Sequence, residues 1–169
     1  GEVLSDAIAR EREGLLATRE HADMVIDTSN MLASELRKLI RGEFAELSDQ
    51  QLMEVHVFSF GFKHGMPVEA DLLIDVRFLP NPFYIKGLGS HTGLDADVRD
   101  FVLKNPITME FVAKLEDLLA FLLPHYQEEG KQRLAIAVGC TGGAHRSVAI
   151  AERLGEFLRA KGYQVSVTH

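Results

Sequence analysis

The strongest constraint on the fold is one continuous segment, residues 134–158. It opens with Leu134-Ala135-Ile136-Ala137-Val138, which is apolar without alternation, as expected of a central strand covered on both faces. The run CTGGAHRS follows at residues 140–147, and apolar residues then recur at helical spacing, at Val148, Ala151, Leu154 and Leu158. This segment predicts a buried strand, a tight glycine-containing turn and an amphipathic helix.

The surrounding pattern predicts further strands and helices in alternation. Strands are predicted over residues 52–60 and 70–78, and a last strand begins near Val165. Helical spacing runs from Val98 to Val102 and again from residue 111 to 122, with Thr108 as the predicted cap. We therefore expect a layered α/β domain with a mainly parallel or mixed central sheet and helices on both faces.

The amino-terminal part has a different organisation. Residues 4–17 predict an amphipathic helix, residues 23–28 a short buried strand, and residues 32–40 a second helix capped by Ser29 or Asn30 and stopped at Gly42. The charged stretch 43–50 has little to bury. We therefore divide the chain into segments 1–47 and 48–169.

Composition limits the class of protein. The 169 residues have a formal charge of −7, which argues against a surface that attracts nucleic acid everywhere. No apolar run approaches the roughly 20 residues of a membrane helix, so no membrane association is predicted. A single cysteine fits a reducing compartment, and we expect a cytoplasmic protein.

The CTGGAHRS turn has the chemistry of an anion site. A strand that leads directly into a helix leaves the first backbone N–H groups of the helix free for an anion at the carboxyl edge of the sheet. The residues that can contribute are Thr141, Gly142, Gly143, His145, Arg146 and Ser147. The glycines allow a close backbone approach, the hydroxyls and His145 donate hydrogen bonds, and Arg146 can bind phosphate with two N–H groups. The alternative is a tight turn with a surface arginine.

The same run contains Cys140 and Arg146 in C-x5-R spacing, which resembles the loop of cysteine-dependent phosphatases. In such a loop Cys140 would be the nucleophile, because backbone N–H dipoles lower the pKa of its thiol. Gly139 stands where those phosphatases usually have histidine, and Asp75 and Asp95 are the candidate acids. A buried, inert Cys140 is the commoner outcome, and no catalytic residue or metal site is otherwise predicted.

Three longer motifs resemble a known family. The phrases SFGFKHGMPVEADLLIDVRFLPNPFY, HTGLD and AIAVGCTGGAHRSVAIAERL resemble, in this order, the carboxyl-terminal domain of the RapZ/YvcJ family of nucleotide-binding proteins, with LPNPFYI closer to the YvcJ branch. The match covers about residues 51–169. The segment REGLLATREHADMVIDTS resembles the end of that family's amino-terminal P-loop kinase-like domain.

The resemblance implies a sensing domain rather than an enzyme. It implies binding of glucosamine-6-phosphate or a related phosphometabolite, and formation of a homo-oligomer. The alternative function is that of an adaptor for small RNAs, for which Arg153, Arg159 and Lys161 form at most a modest basic strip. The G-x-x-x-x-G-K-[ST] loop is absent, so ATP or GTP with Mg²⁺ is expected only of the missing amino-terminal domain.

The resemblance also implies a ligand site. Its residues, carried over by motif, are Lys63, His64, Asp75, Arg77, His91, Thr141, Gly142, His145 and Arg146. The basic side chains can meet a phosphate, while Asp75 can accept hydrogen bonds from hydroxyls or an ammonium group. Simpler interpretations stay open: Asp75 and Arg77 pair with each other, Lys63 and His64 are solvated, and His91 caps the helix that follows it.

Overall fold

The computed structural model describes residues 4–43 and 53–169. The chain divides into two compact units, residues 1–43 and residues 44–169. The boundary predicted between residues 47 and 48 lies outside the described residues.

The first unit consists of helices α1 (Leu4–Gly14), α2 (Leu16–Glu20) and α3 (Ala33–Glu43). The helix predicted over residues 4–17 is thus confirmed, with a break at Leu15. The strand predicted over residues 23–28 is wrong: this segment is irregular, and Val25 is more than half exposed. A strand needs a neighbour to pair with, and none of the described residues pairs with this segment.

The start and end of α3 also differ from the prediction. The backbone N–H of Ser29 donates to the Asp27 carboxylate at 2.9 Å, and the N–H of Leu32 donates to Glu35 at 2.8 Å. The turn before α3 is therefore closed by two carboxylates, and neither Ser29 nor Asn30 directly precedes the helix. Gly42 lies inside α3 rather than ending it.

The second unit is an α/β domain. Its strands are β1 (Glu54–Gly61), β2 (Leu72–Asp75), β3 (Arg133–Cys140) and β4 (Gln164–Thr168), and its helices are α4 (Ala96–Leu103), α5 (Pro106–Glu129) and α6 (Arg146–Ala160). Two 3-10 turns lie at Phe62–His64 and Pro82–Tyr84. The strands form one sheet in the order β2-β3-β1-β4, and every pair is parallel. The predicted α/β class with a parallel sheet is confirmed.

The core lies between the sheet and the helices. Val55 and Val57 on β1 and Ile136 on β3 are fully buried, and they share one cluster with Leu154 on α6 and with α5. The opposite face carries His56, which is half-buried. In residues 53–169 the core cluster and the three helices occupy one face of the sheet, because the connection from β1 to β2 contains a 3-10 turn instead of a helix. The predicted helices on both faces are therefore not found among these residues.

Helix α5 begins at a different cap from the one predicted. The Asn105 side chain accepts a hydrogen bond from the N–H of Ile107 at 3.1 Å, and Pro106 occupies the first helical position. Thr108, the predicted cap, is fully buried in the first turn. In the part of the chain that the structure describes, no helix is both long and apolar enough to cross a membrane.

Candidate functional site

The turn between β3 and α6 is packed backbone to backbone against the end of β1. A Cβ atom on Gly61 would lie 2.7 Å from the carbonyl carbon of Gly142, and Gly143 has a φ of +83°. The N–H of Lys63 donates to the carbonyl of Thr141 at 3.2 Å. The glycines are thus required by a close approach and by one left-handed backbone position.

Arg146 lies beneath this turn and is only 4% exposed. Its Nη1 donates to the carbonyls of Arg77 at 2.7 Å and Leu79 at 3.0 Å, and its Nη2 donates to the Thr141 hydroxyl at 3.3 Å. Its Nε is buried and has no hydrogen-bond partner among the described residues. The guanidinium therefore ties the segment after β2 to the turn and places a positive charge under it.

Arg77 and Asp75 form an exposed pair at the end of β2. The Arg77 Nε lies 3.0 Å from both carboxylate oxygens of Asp75, and its Nη2 lies 2.6 Å from Oδ2. The Arg77 guanidinium also lies 3.8 Å above the ring of Phe62. The hydrogen bonds from Arg77 lower the pKa of Asp75 despite partial burial, and Arg146 contributes through its charge. The simpler interpretation, that these two residues pair, is confirmed.

Lys63 and His64 belong to the 3-10 turn after β1, and both are exposed. The Lys63 ammonium nitrogen lies 3.9 Å from the point that a Cβ on Gly142 would occupy. Lys63 is therefore beside the glycine turn, while His64 is at the solvent-facing end of its own turn.

A second loop, residues 80–95, packs on the other side of the turn. His145 Nε2 lies 3.3 Å from the carbonyl of Gly89, and its ring meets the edge of Phe83 at a centroid distance of 6.4 Å. The N–H of Gly93 donates to the Ala144 carbonyl at 2.8 Å. A Cβ atom on Gly93 would lie 2.3 Å from the backbone oxygen of His145. His91 instead bonds Asp97 in the first turn of α4 at 2.6 Å, in agreement with a role at that helix start.

Cys140 and Ser147 face each other inside the domain. The Cys140 Sγ lies 3.1 Å from the Ser147 hydroxyl and accepts from the N–H of Gly143 at 3.3 Å. Burial alone would raise the pKa of the Cys140 thiol, but the hydrogen bonds from Ser147, Gly143 and His145 lower it overall. Cys140 is 2% exposed and Ser147 is fully buried. Their side chains therefore support the turn from within.

The structure thus brings most of the predicted residues to one edge of the sheet. Those that lie together at the carboxyl ends of β1, β2 and β3 are Lys63, Asp75, Arg77, Thr141, Gly142, Gly143 and Arg146. This edge has three basic side chains, those of Lys63, Arg77 and Arg146, and one carboxylate, that of Asp75, next to the start of α6. Such an excess of positive charge at a helix start favours an anion. In residues 4–43 and 53–169, no cluster of His, Cys, Asp and Glu could hold a metal ion.

Three residues that shape this edge could not be assigned to it from the sequence. Phe62 supports Arg77, Phe83 contacts His145, and the carbonyl of Leu79 accepts from Arg146. All three lie inside the motifs GFKHG and LPNPFY, in which the basic residues and the prolines are the more evident signals. A backbone carbonyl has no sequence signal at all.

Fold and geometry together define an α/β domain of parallel strands with a basic, glycine-containing strand-to-helix turn at one sheet edge. A family model described as the RapZ C-terminal domain matches residues 53–169. The chain belongs to that family, as the resemblance predicted.

Relatives in several bacteria extend this result. The chain is 48% identical to a nucleotide-binding protein of Caldicellulosiruptor bescii and 50% identical to one of Listeria innocua, in both cases over all of its 169 residues. It is 47% identical to a nucleotide-binding protein of Alkaliphilus oremlandii over 98% of its length. The chain spans 57–58% of the length of these relatives.

Proposed function

We propose that this domain is a sensor that binds a phosphorylated amino sugar, glucosamine-6-phosphate or a close analogue, at the β3–α6 turn without transforming it. The observation that carries the proposal is that Lys63 and Arg146 lie at a glycine turn at a helix start, while Arg77 follows the neighbouring strand end and its carbonyl accepts from Arg146. ATP or GTP with Mg²⁺ is proposed for the part of the relatives that lies beyond this chain, in keeping with their name.

Different residues bind different groups of the ligand. The exposed Lys63 and Arg77 meet the phosphate, together with those backbone N–H groups of the turn that do not donate to Cys140. Arg146 acts from below, because its terminal nitrogens already bond two carbonyls and a hydroxyl. Asp75 meets the ammonium group of the sugar, which replaces Arg77 as the partner of this carboxylate.

The replacement Asp75→Asn tests this division of roles. It removes the carboxylate charge that attracts the ammonium group of glucosamine-6-phosphate, a group that glucose-6-phosphate lacks. We therefore expect the affinity for the amino sugar to fall about tenfold, or about 1.4 kcal/mol. The affinity for glucose-6-phosphate should stay equal or rise, because Arg77 loses its competing carboxylate. Calorimetric titration of both sugars at pH 7 measures the change.

Asp100→Asn is the matched control, because Asp100 forms a similar exposed pair with Lys104 on α4. It should leave both affinities unchanged. The proposal is overturned if neither sugar phosphate gives binding heat with the unsubstituted chain. Its assignment of Asp75 is overturned if Asp75→Asn weakens both sugars equally.

One observation favours a second candidate, a cysteine-dependent phosphatase: the pKa of the Cys140 thiol is lowered. The burial of Cys140 opposes it, since a nucleophile must reach phosphorus. We expect no turnover of p-nitrophenyl phosphate. Turnover that disappears in Cys140→Ser would establish the phosphatase instead, and turnover that persists in this variant would indicate a contaminating enzyme.

A further inference from the structure

The ring of Phe62 lies under the guanidinium of Arg77, the exposed arginine that follows β2. The Cζ atom of Arg77 lies 3.8 Å from the centroid of the Phe62 ring, a distance at which an aromatic face attracts a guanidinium. Phe62 in turn leans on Phe60, with ring centroids 4.8 Å apart and planes inclined by 56°. The contact with Phe60 therefore restricts the position of the Phe62 ring.

The backbone of β3 leaves room for this pair of rings. A Cβ atom on Gly139 would lie 2.4 Å from the Phe60 ring and 2.6 Å from the Phe62 ring. Gly139 thus allows both aromatic side chains to approach the backbone of β3, in the register where it pairs with Phe60. The absence of a side chain at position 139, where cysteine-dependent phosphatases usually have histidine, has a physical reason in this fold.

Arg77 needs the contact with Phe62 because its side chain is about half exposed. A long side chain in solvent populates many rotamers, and fixing it reduces the affinity for a ligand. The contacts described for the Arg77 side chain are Asp75 and Phe62. When an ammonium group replaces Arg77 as the partner of Asp75, as proposed above, the contact with Phe62 is the one that still holds the guanidinium.

We infer that Phe62 is a positioning residue of the anion site, which holds the plane of Arg77 toward a bound phosphate. The inference rests on the proposed function. It assigns a role in binding to an aromatic residue that itself has no group to bind phosphate.

A double-mutant cycle on the full chain tests this role, with glucosamine-6-phosphate and inorganic phosphate as the probes. We expect Phe62→Leu to raise the dissociation constant about fivefold, and Phe62→Tyr to restore it to within about twofold of the original value. In the background of Arg77→Met, Phe62→Leu should have no further effect, because the side chain that it positions is gone. A merely structural role would weaken binding in both backgrounds.

Phe78→Leu is the control, since Phe78 is an aromatic residue next to Arg77 in the chain but packs on Phe111 of α5. Circular dichroism verifies folding, and Phe62→Met replaces Phe62→Leu if the latter does not fold. Two results would show that the positioning role is wrong while the proposed function stands. In the first, Phe62→Leu binds the probes as well as the unsubstituted chain does. In the second, Phe62→Leu weakens binding by the same factor with and without Arg77→Met. If the unsubstituted chain binds neither probe, both fail together.

Discussion

Arg146→Met is expected to lower the free energy of unfolding by about 3 kcal/mol, because it leaves buried acceptors without a donor. The carbonyls of Arg77 and Leu79 both accept from the Arg146 guanidinium, and this side chain is 4% exposed. The segment after β2 would lose its connection to Thr141 as well. We therefore also expect the affinity for glucosamine-6-phosphate to fall at least tenfold, or by about 1.4 kcal/mol or more.

Urea unfolding followed by circular dichroism measures the stability, and calorimetry measures the binding. Arg153→Met is the control, because Arg153 is a more exposed arginine of the same helix whose partners are Glu116 on α5 and Glu156 on α6. Arg146→Lys should behave almost like Arg146→Met, since an ammonium group cannot reproduce the forked geometry. Unchanged stability in Arg146→Met would contradict the structural role of this residue.

The strand-turn-helix segment could be predicted because its signals are local. An apolar run, two glycines and a helical stripe all lie within residues 134–158, and each pattern has one dominant interpretation. The α/β class followed from the same alternation. The strand predicted over residues 23–28 is wrong although its pattern is equally local. A strand forms only where a neighbouring strand pairs with it, and the local pattern does not specify that neighbour.

The inward orientation of Arg146 could not be predicted. The spacing places it at the first position of α6, where a side chain can point to solvent or into the sheet edge. Only the fold brings the carbonyls of Arg77 and Leu79 within reach, about 70 residues earlier in the chain. The same reason explains why Ser147, predicted as a donor at the turn, is buried against Cys140.

The arrangement of Asp75 and Arg77 could be predicted in part. Two residues apart at a strand end, they were predicted both as ligand residues and as a simple pair, and the pair is what the structure contains. Their pairing does not exclude ligand binding, because both side chains are nearly half exposed. An exposed pair is weak, and a ligand that carries both a phosphate and an ammonium group can replace both of its halves.

Gly61→Ala is the sharpest test of the close approach between β1 and the turn. The φ of Gly61 is −107°, so an alanine could adopt its backbone conformation without strain. Its Cβ, however, would lie 2.7 Å from the carbonyl carbon of Gly142 and 2.9 Å from the nitrogen of Gly143. Both neighbours are backbone atoms, which cannot rotate away as a flexible side chain would.

The turn must therefore move away from β1 in Gly61→Ala. We expect a loss of about 1–3 kcal/mol of stability, as for other overpacked positions. Displacing the backbone N–H groups from Lys63 and Arg77 should also weaken glucosamine-6-phosphate binding at least tenfold, which is about 1.4 kcal/mol. Unfolding and titration experiments on the same preparation measure both effects.

Gly65→Ala separates the close approach from the general cost of replacing a glycine. Gly65 has a φ of +103°, so alanine is strained there, but a Cβ at this position would have nothing within 4 Å. This variant should lose about 1 kcal/mol of stability and keep its affinity. If Gly61→Ala binds the sugar phosphate as well as Gly65→Ala does, then the position of the turn relative to β1 is irrelevant to binding. The anion site would in that case have to be sought on the side of the turn that faces Gly89 and Gly93.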